Sequence, residues 1–395
     1  MNVLRSLGKR LLLEAELSSS PIVQRAIVPH LNKVKSMGRT LLKPYLNVYQ
    51  WQGEAQSGSL SVLYAGSDGS NDFLKELLFT QKPTQQPLEP LPHHRIFELI
   101  DNTSSDLIII QANKELINRL PRQSSIRLPQ FVSWVINVQG NPEELRLRIP
   151  KNMRKDVTRL MREYGYEYEV SYDEQDFDNF YYEMYLPSIK HLHGDLVEPT
   201  PYTEAYQYFK HGWLYKIIRE GEYICGRLVY VRQGVLYLKL IGLKDADLKL
   251  RREGIHHATT YPLLLEANKQ GFKFVNLGLT APFSGLNLFQ HKRRWGAAIE
   301  ATPYDMNQYW FHFCRATPAV TQFMFNNSLV CLDEVDDFCG LLVVDNPASL
   351  DVDTLKKLRH LYLVPGMKDL HVCTMADLVG DSSIVNIEAN PETRV

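Results

Sequence analysis

The chain has 395 residues, 44 Lys and Arg against 45 Asp and Glu, a formal net charge of −1, and 44 % hydrophobic residues. That balance excludes a disordered chain, a collagen-like fibre and a polycation built to coat nucleic acid, and the length suggests two or three domains. Five cysteines (Cys225, Cys314, Cys331, Cys339 and Cys373) without a C-x-x-C pair exclude a disulfide framework and predict reduced, mostly buried thiols.

Residues 1–45 carry eight basic residues (Arg5, Lys9, Arg10, Arg25, Lys33, Lys35, Arg39 and Lys43) against Glu14 and Glu16. Leu4, Leu7, Leu11 and Leu12 recur at helical spacing, so a basic amphipathic leader is expected over residues 1–50. It would either pack on the protein's own body or lie on an anionic membrane surface. Glu14 and Glu16 interrupt any secretory segment, and no apolar run approaches the roughly 20 residues of a membrane span. A cytoplasmic protein is expected, with peripheral contact to the inner face of the membrane as a further expectation.

Residues 51–140 alternate short strands (SLSVLYAG, HRIFELI, SDLIIIQA, FVSWVINV) with helices, and QKPTQQPLEPLPHH (81–94) reads as an exposed loop. Gly66 and Gly69 there read as an ordinary turn. From 145 onward LRIPKNMRKDVTRLMREYGY predicts a basic helix ending at Gly165. The strand YEYEVSYD and helices over DEQDFDNFYYEMYLPSIKHLHG and PTPYTEAYQYFKHG come next. Three strands then join at two turns, Glu220-Gly221 and Gln233-Gly234. A helix IHHATTYPLLLEANKQ, a strand FKFVNLG, a helix around LNLFQHKRRW and a strand AAIEATPYD complete the unit. Beyond 326 the pattern reads strand, helix, strand and a polar tail.

The chemistry concentrates after the strand YLKLIGL. Arg251, Arg252, Glu253, Gly254, Ile255 and His256 set basic residues and a glycine before a helix, where unpaired N–H groups and the helix dipole favour an anion. In HLHGD the His191 and His193 spacing does not share one helix face, so no metal site is expected.

Strands, R-x-x-G at a helix start, helix and strand resemble the GNAT acyltransferase fold, in which that loop holds the pyrophosphate of an acyl-coenzyme A. Residues 145–305 further resemble its Fem-type, BioF2-like branch. The basic helix, strand and helix from Pro150 carry that likeness, as does the signature Phe289, Lys292, Trp295, Gly296. The resemblance implies a mixed α/β (α+β) fold with two GNAT-like units in tandem. Residues 51–140 would be the degenerate one, 141–325 the catalytic one, and 326–395 a βαβ extension. It implies an N-acyltransferase moving an acyl group from acyl-CoA or an acyl carrier protein, bound only as co-substrate. The acceptor would be an amine of an amino acid, amino sugar or envelope precursor. Leu240 to Gly242 would supply an oxyanion N–H. His193, Tyr237 and Glu253 are the candidate bases, and Asn276 stands where that branch is often acidic. Lys239 and Lys292 would fix a carboxylate or phosphate on the acceptor. Two other readings keep the fold: an aminoacyl-tRNA-dependent peptidyltransferase, with tRNA as its nucleic-acid partner, and a catalytically silent scaffold, which Asn276 and His256 favour.

Overall fold

The first strands are β1 (Tyr45–Ala55), β2 (Gly58–Gly66), β3 (Thr84–Pro92), β4 (Leu107–Ala112), β5 (Ser125–Pro129) and β6 (Val132–Asn137), and short apolar or alternating runs account for all of them but β3. The computed structural model describes residues 13–18, 45–66, 71–101, 103–194, 197–302, 307–347, 350–380 and 386–387. Three segments here depart from the sequence expectation: β1 begins at Tyr45, inside the expected leader, and two others change type. The Pro/Gln-rich stretch forms β3, an edge strand paired antiparallel to β1 with Pro87 opposite Tyr49 and Pro92 opposite Tyr45. An edge strand tolerates prolines because half of its N–H groups need no partner. HRIFELI is not a strand: Ile96–Asp101 is a short helix, α1, in which only Ile96 is fully buried and Arg95 pairs with Glu98 one turn on.

The chain divides into two units. Unit 1 comprises Met1–Lys35, Trp134–Gly278 and Arg294–Ala297; unit 2 comprises Ser36–Ser133, Leu279–Arg293 and Ala298–Val395. The 326–395 extension and the 51–133 segment thus share one unit, and the signature Phe289 to Gly296 is divided between the two.

Unit 1 is built on β7 (Glu167–Ser171), β8 (Gly212–Arg219), β9 (Glu222–Arg232), β10 (Val235–Leu243) and β11 (Phe274–Thr280). The order is β6-β11-β10-β9-β8-β7. The β7 to β10 pairs are antiparallel, whereas β10 and β11 are parallel. The two connecting turns fall at the expected dipeptides, with φ of 54° and 80° at Glu220 and Gly221 and 52° and 74° at Gln233 and Gly234. Positive φ at both central residues matches the twist of the flanking strands. Its helices include α2 (Lys151–Tyr164), α3 (Glu174–Asn179), a π-helical stretch (Phe180–Tyr185), α4 (Leu186–His193), α5 (Tyr202–Lys210), α6 (Leu248–Arg252) and α7 (Ile255–Lys269). Gly165 ends α2 at φ 60°, as its sequence predicts.

Strand alternation gives this sheet two chemically different faces. Leu214, Leu228, Tyr230 and Leu240 pack with Phe177, Phe180, Tyr181, Met184, Tyr185, Ala205, Tyr208 and Phe209 in an aromatic core under α3 to α5. Tyr215, Arg227 and Ile241, register partners across β8 to β10, face the other way, where Arg227 reaches Thr259 of α7. Of the leader, 13–17 form a helical turn. Leu17 is buried in the aromatic core, and Glu16 lies 3.7 Å from Arg232. All eight basic leader residues lie outside the described residues, as do Gly69, Asp195, the side chain of His193 and most of the polar tail.

In unit 2, α8 (Asn287–Arg293) is followed by β12 (Ala298–Glu300), shorter than expected, then β13 (Gln308–Phe313), β14 (Leu329–Leu332), β15 (Phe338–Val343), α9 (Val352–Tyr362), β16 (Leu370–Cys373) and β17 (Asn386–Ile387). One sheet has the order β3-β1-β2-β4-β13-β5, with β13 inserted from far along the chain, and a second runs β14-β15-β16-β17. β15, α9 and parallel β16 form the expected strand, helix, strand unit. Trp51 stacks on Tyr64 at 4.6 Å within a core completed by Leu107, Ile109 and Phe311. No helix among the described residues is long and apolar enough to cross a membrane.

Gly242 lets β10 approach the aromatic helices closely. A Cβ there would lie 2.6 Å from the Tyr185 amide nitrogen and 2.8 Å from the Met184 carbonyl carbon, both backbone. Gly242→Ala should therefore destabilise by about 2 kcal/mol, as overpacking does. Gly285→Ala, whose nearest neighbour would be the Asn326 carbonyl at 3.8 Å, should stay within about 0.5 kcal/mol. Urea midpoints of the two variants check the contrast.

Candidate functional site in unit 1

The parallel pair β10 and β11 is in register for only three residues: Val235 with Phe274, Leu236 with Val275 and Tyr237 with Asn276. Beyond Tyr237 both strands continue, but no further residues pair. On its other edge β10 keeps its antiparallel partners on β9 as far as Leu243, with a register shift between Leu238 and Leu240. One strand thus stays bound on one side while its other side opens. The bulge supplies the local bend that lets it do so. The opening lies at the carboxyl ends of parallel strands, where open α/β sheets leave a crevice. From the same end of β10 the chain runs through α6 into the N-terminus of α7.

At the neck of the opening, Tyr237 stacks on Tyr230 at 4.9 Å, and Tyr230 packs on Tyr208 at 4.5 Å. Lys239, the bulged residue, holds its Nζ 4.5 Å from the centre of the Tyr208 ring. The Tyr208 hydroxyl donates to Glu204 Oε1 at 3.0 Å. Asn276 is buried, and its Oδ1 accepts from the Gly278 amide at 2.7 Å. It shapes the strand end where Gly278 takes φ 85°.

Leu240 packs in the aromatic core, and Gly242 closes on Met184 and Tyr185. The Leu243 amide is held by Ser188 Oγ at 2.9 Å.

Around α7, Arg251 and Arg252 are exposed, and their side chains make no hydrogen bond or ion pair with the described residues. Glu253 is buried. Its carboxylate takes Arg219 at 2.6 Å and Lys249 at 3.5 Å, and its carbonyl accepts the Tyr166 hydroxyl at 3.3 Å. That pairing occupies it as an ion partner. Gly254 has φ 80°, which favours glycine, but the space a Cβ would fill belongs to Leu160, whose Cδ1 would stand 2.4 Å away. The absence of a side chain at Gly254 thus lets Leu160 of α2 pack against its Cα. The Ile255 side chain is buried, and the His256 carbonyl accepts the hydroxyls of Thr259 and Thr260.

The signature residues serve packing. In unit 2, Phe289 is buried and the buried Lys292 donates to the Leu279 carbonyl at 2.9 Å. In unit 1, Trp295 is buried beside His257, and Gly296 takes φ 71° against Pro150. Unit 2 also holds a cavity of about 450 Å³ lined by Ile126, Arg127, Trp310, Cys331 and Lys368. Its cations are neutralised, Arg127 by Asp336 at 2.8 Å and Lys368 by Asp333 at 3.2 Å.

Sequence reasoning missed Arg227, Tyr208 and Tyr230. Burial pushes the Arg227 guanidinium down to about 10, and its Nε has no acceptor among the described residues. Its signal was a charge at an inward position of the alternating run YICGRLVYVR.

No family model matches this chain, and no curated protein does. Among solved structures it is similar to FemX (11 % identity, 78 % of this chain and 96 % of that one, TM-score 0.37). It is also similar to L-PGS from Bacillus licheniformis (12 % identity, 70 % and 88 %, TM-score 0.33). A third is a GCN5-related N-acetyltransferase-like protein from Streptococcus suis (10 % identity, 65 % and 83 %, TM-score 0.27). The mixed α/β order of unit 1 stands on its own strand pairings: an antiparallel meander, a helix, and a parallel strand that parts from its neighbour.

Burial, then the nearby Glu253, pushes the Tyr166 phenol up to about 12. A free tyrosine ionises near 10, so Tyr166 contributes stability that is whole below about pH 10 and lost as the pH rises towards 12. The stability difference between the wild type and Tyr166→Phe should shrink across that window, measured by urea unfolding at pH 8.5 and pH 11.

Proposed function

We propose that unit 1 is an acyltransferase that takes its acyl group from a coenzyme A or carrier-protein thioester and passes it to an amine. The observation that carries this reading is the parting of β10 from β11 immediately after Tyr237 and Asn276. A thioester is already activated, so catalysis needs mainly an aligned amine and donors for the developing oxyanion. Strand amides of β10 that no longer face a partner on the β11 side are such donors, fixed in place before substrate arrives. Asn276 is bonded to the strand end, and Glu253 is paired with Arg219, so neither is our choice of base. Tyr237, at the neck, is the residue we assign to proton removal from the amine, directly or through water.

Arg251 and Arg252 take the donor's phosphates from solvent, as mobile surface cations beside the start of α7 rather than as part of a backbone cradle at Gly254. The amine belongs to an amino acid, amino sugar or envelope precursor. The silent-scaffold reading keeps one supporting observation, the Leu160 side chain over Gly254.

Coenzyme A should raise the unfolding midpoint, since a ligand at a hundredfold excess over its Kd adds about 2.7 kcal/mol. The double variant Arg251→Ala, Arg252→Ala should lose most of that rise without a change in its own midpoint. A flat response to coenzyme A and acetyl-coenzyme A in the wild type would sink the reading.

A further inference from the structure

Lys239 is a cation out of place. It projects from the bulge of β10 into the aromatic side of the sheet, against the Tyr208 ring. Among the described residues it makes no hydrogen bond and no ion pair. The nearest carboxylate to influence it is Glu204, which is engaged by the Tyr208 hydroxyl and lies beyond ion-pair distance of Nζ. Burial holds the ammonium below its ordinary range. A half-buried charge without a counter-ion still carries part of its desolvation cost, and a lone tyrosine face offsets only some of it. The cation nearby is treated differently: Arg232 has Glu16 at 3.7 Å. In unit 2, Lys292 is spent on the Leu279 carbonyl. Lys239 alone among the lysine candidates keeps a free ammonium, and it keeps it two residues beyond the last paired position of β10 and β11.

We infer that the counter-ion of Lys239 is a carboxylate of the acceptor, so that the amine substrate is an amino acid or a peptide end, held by its carboxylate on Lys239 and flanked by Tyr208, Tyr230 and Tyr237. This inference rests on the acyltransferase reading for the reaction, but not for the binding. The order of the parts is chemically consistent. A carboxylate on Lys239 leaves the acceptor's amine to reach the neck, where Tyr237 and Asn276 mark the start of the opening. The end of the stack formed by Tyr208, Tyr230 and Tyr237 offers an aromatic surface to the carbon skeleton between the two groups. An amine without an acid group would cover the half-buried ammonium and leave it unpaired, so discrimination comes from the site as much as from the ligand.

The test uses matched probes with the full chain: L-lysine, L-tyrosine and D-alanine against their amides. Each is tested in the wild type, Lys239→Met and Lys239→Arg. Thermal unfolding without any thioester reads binding alone. Acyl transfer from acetyl-coenzyme A reads KM and kcat. The inference expects at least one acid to stabilise the wild type and its amide to bind roughly tenfold more weakly or worse, the usual scale for losing one partner of a desolvated ion pair. Lys239→Met should fold normally, because a similar-sized apolar side chain replaces a half-buried one on the same tyrosine ring, and should treat acid and amide alike. Lys239→Arg should restore the preference, and in transfer the change should fall on KM rather than kcat. Acid-selective binding without transfer from any donor would keep the carboxylate site and overturn the acyltransferase reading. Transfer with no preference for the acid, or a preference that survives in Lys239→Met, would overturn the carboxylate site. So would the absence of acid-dependent stabilisation in the wild type.

Discussion

The structure of unit 1 depends on a strand that must satisfy two neighbours and satisfies only one along its whole length. β10 keeps its bonds to β9 while it loses β11 after Tyr237. Backbone N–H and C=O groups are strong and obligatory partners, so an unpaired stretch inside a sheet is rare unless something else fills it. The bulge at Lys239 bends β10 away, Asn276 ties the end of β11 to Gly278, and the contact of Gly242 with Met184 and Tyr185 clamps the far end of β10 against the helices. Three separate devices hold one gap open. A gap held by that many independent contacts belongs to the resting fold, and a ligand entering it would meet donors already in position.

Around this gap the electrostatics are unequally resolved. Glu253 is neutralised by Arg219, Arg232 by Glu16 and Asp176 by Lys216 at 2.9 Å, so most buried charge is internally balanced. Lys239, and on the opposite face Arg227, are not balanced by a carboxylate within the described residues. Exposed Arg251 and Arg252 are unpaired too, but water serves them. The contrast separates two kinds of cation. Surface arginines draw a charged ligand at little cost to the fold, whereas a half-buried lysine over a tyrosine ring is partly stripped of water before a ligand arrives.

Much of this architecture is legible in the residues because local chemistry dictates it. Glu220-Gly221 and Gln233-Gly234 can be read as turns since positive φ at two successive positions selects such pairs, and Gly165 stops α2 for the same reason. What is not legible is decided by distant partners. Nothing local in QQPLEP announces β3, which exists because β1 offers an edge. β13 enters the sheet between β4 and β5 from more than 170 residues along the chain. At the site, Arg251, Arg252 and Gly254 are found by pattern, yet the pattern cannot know that Leu160 of α2 comes to rest on Gly254. Lys239 is found by pattern but its setting is not. Alternation in VLYLKLIGL puts it on the face of Tyr237 without saying which face is covered, and the one-residue bulge then brings Leu240 to that same aromatic side.

The central claim is that the unpaired edge of β10 is where the donor binds. Backbone amide hydrogen exchange with and without acetyl-coenzyme A reads this directly, because it reports on the amides themselves. The account predicts that peptides covering Tyr237–Leu243 and Asn276–Gly278 become protected when the thioester is added, while the β8–β9 hairpin is unchanged. Unaltered exchange across β10 and β11 at saturating thioester, or protection confined to other strands, would contradict it.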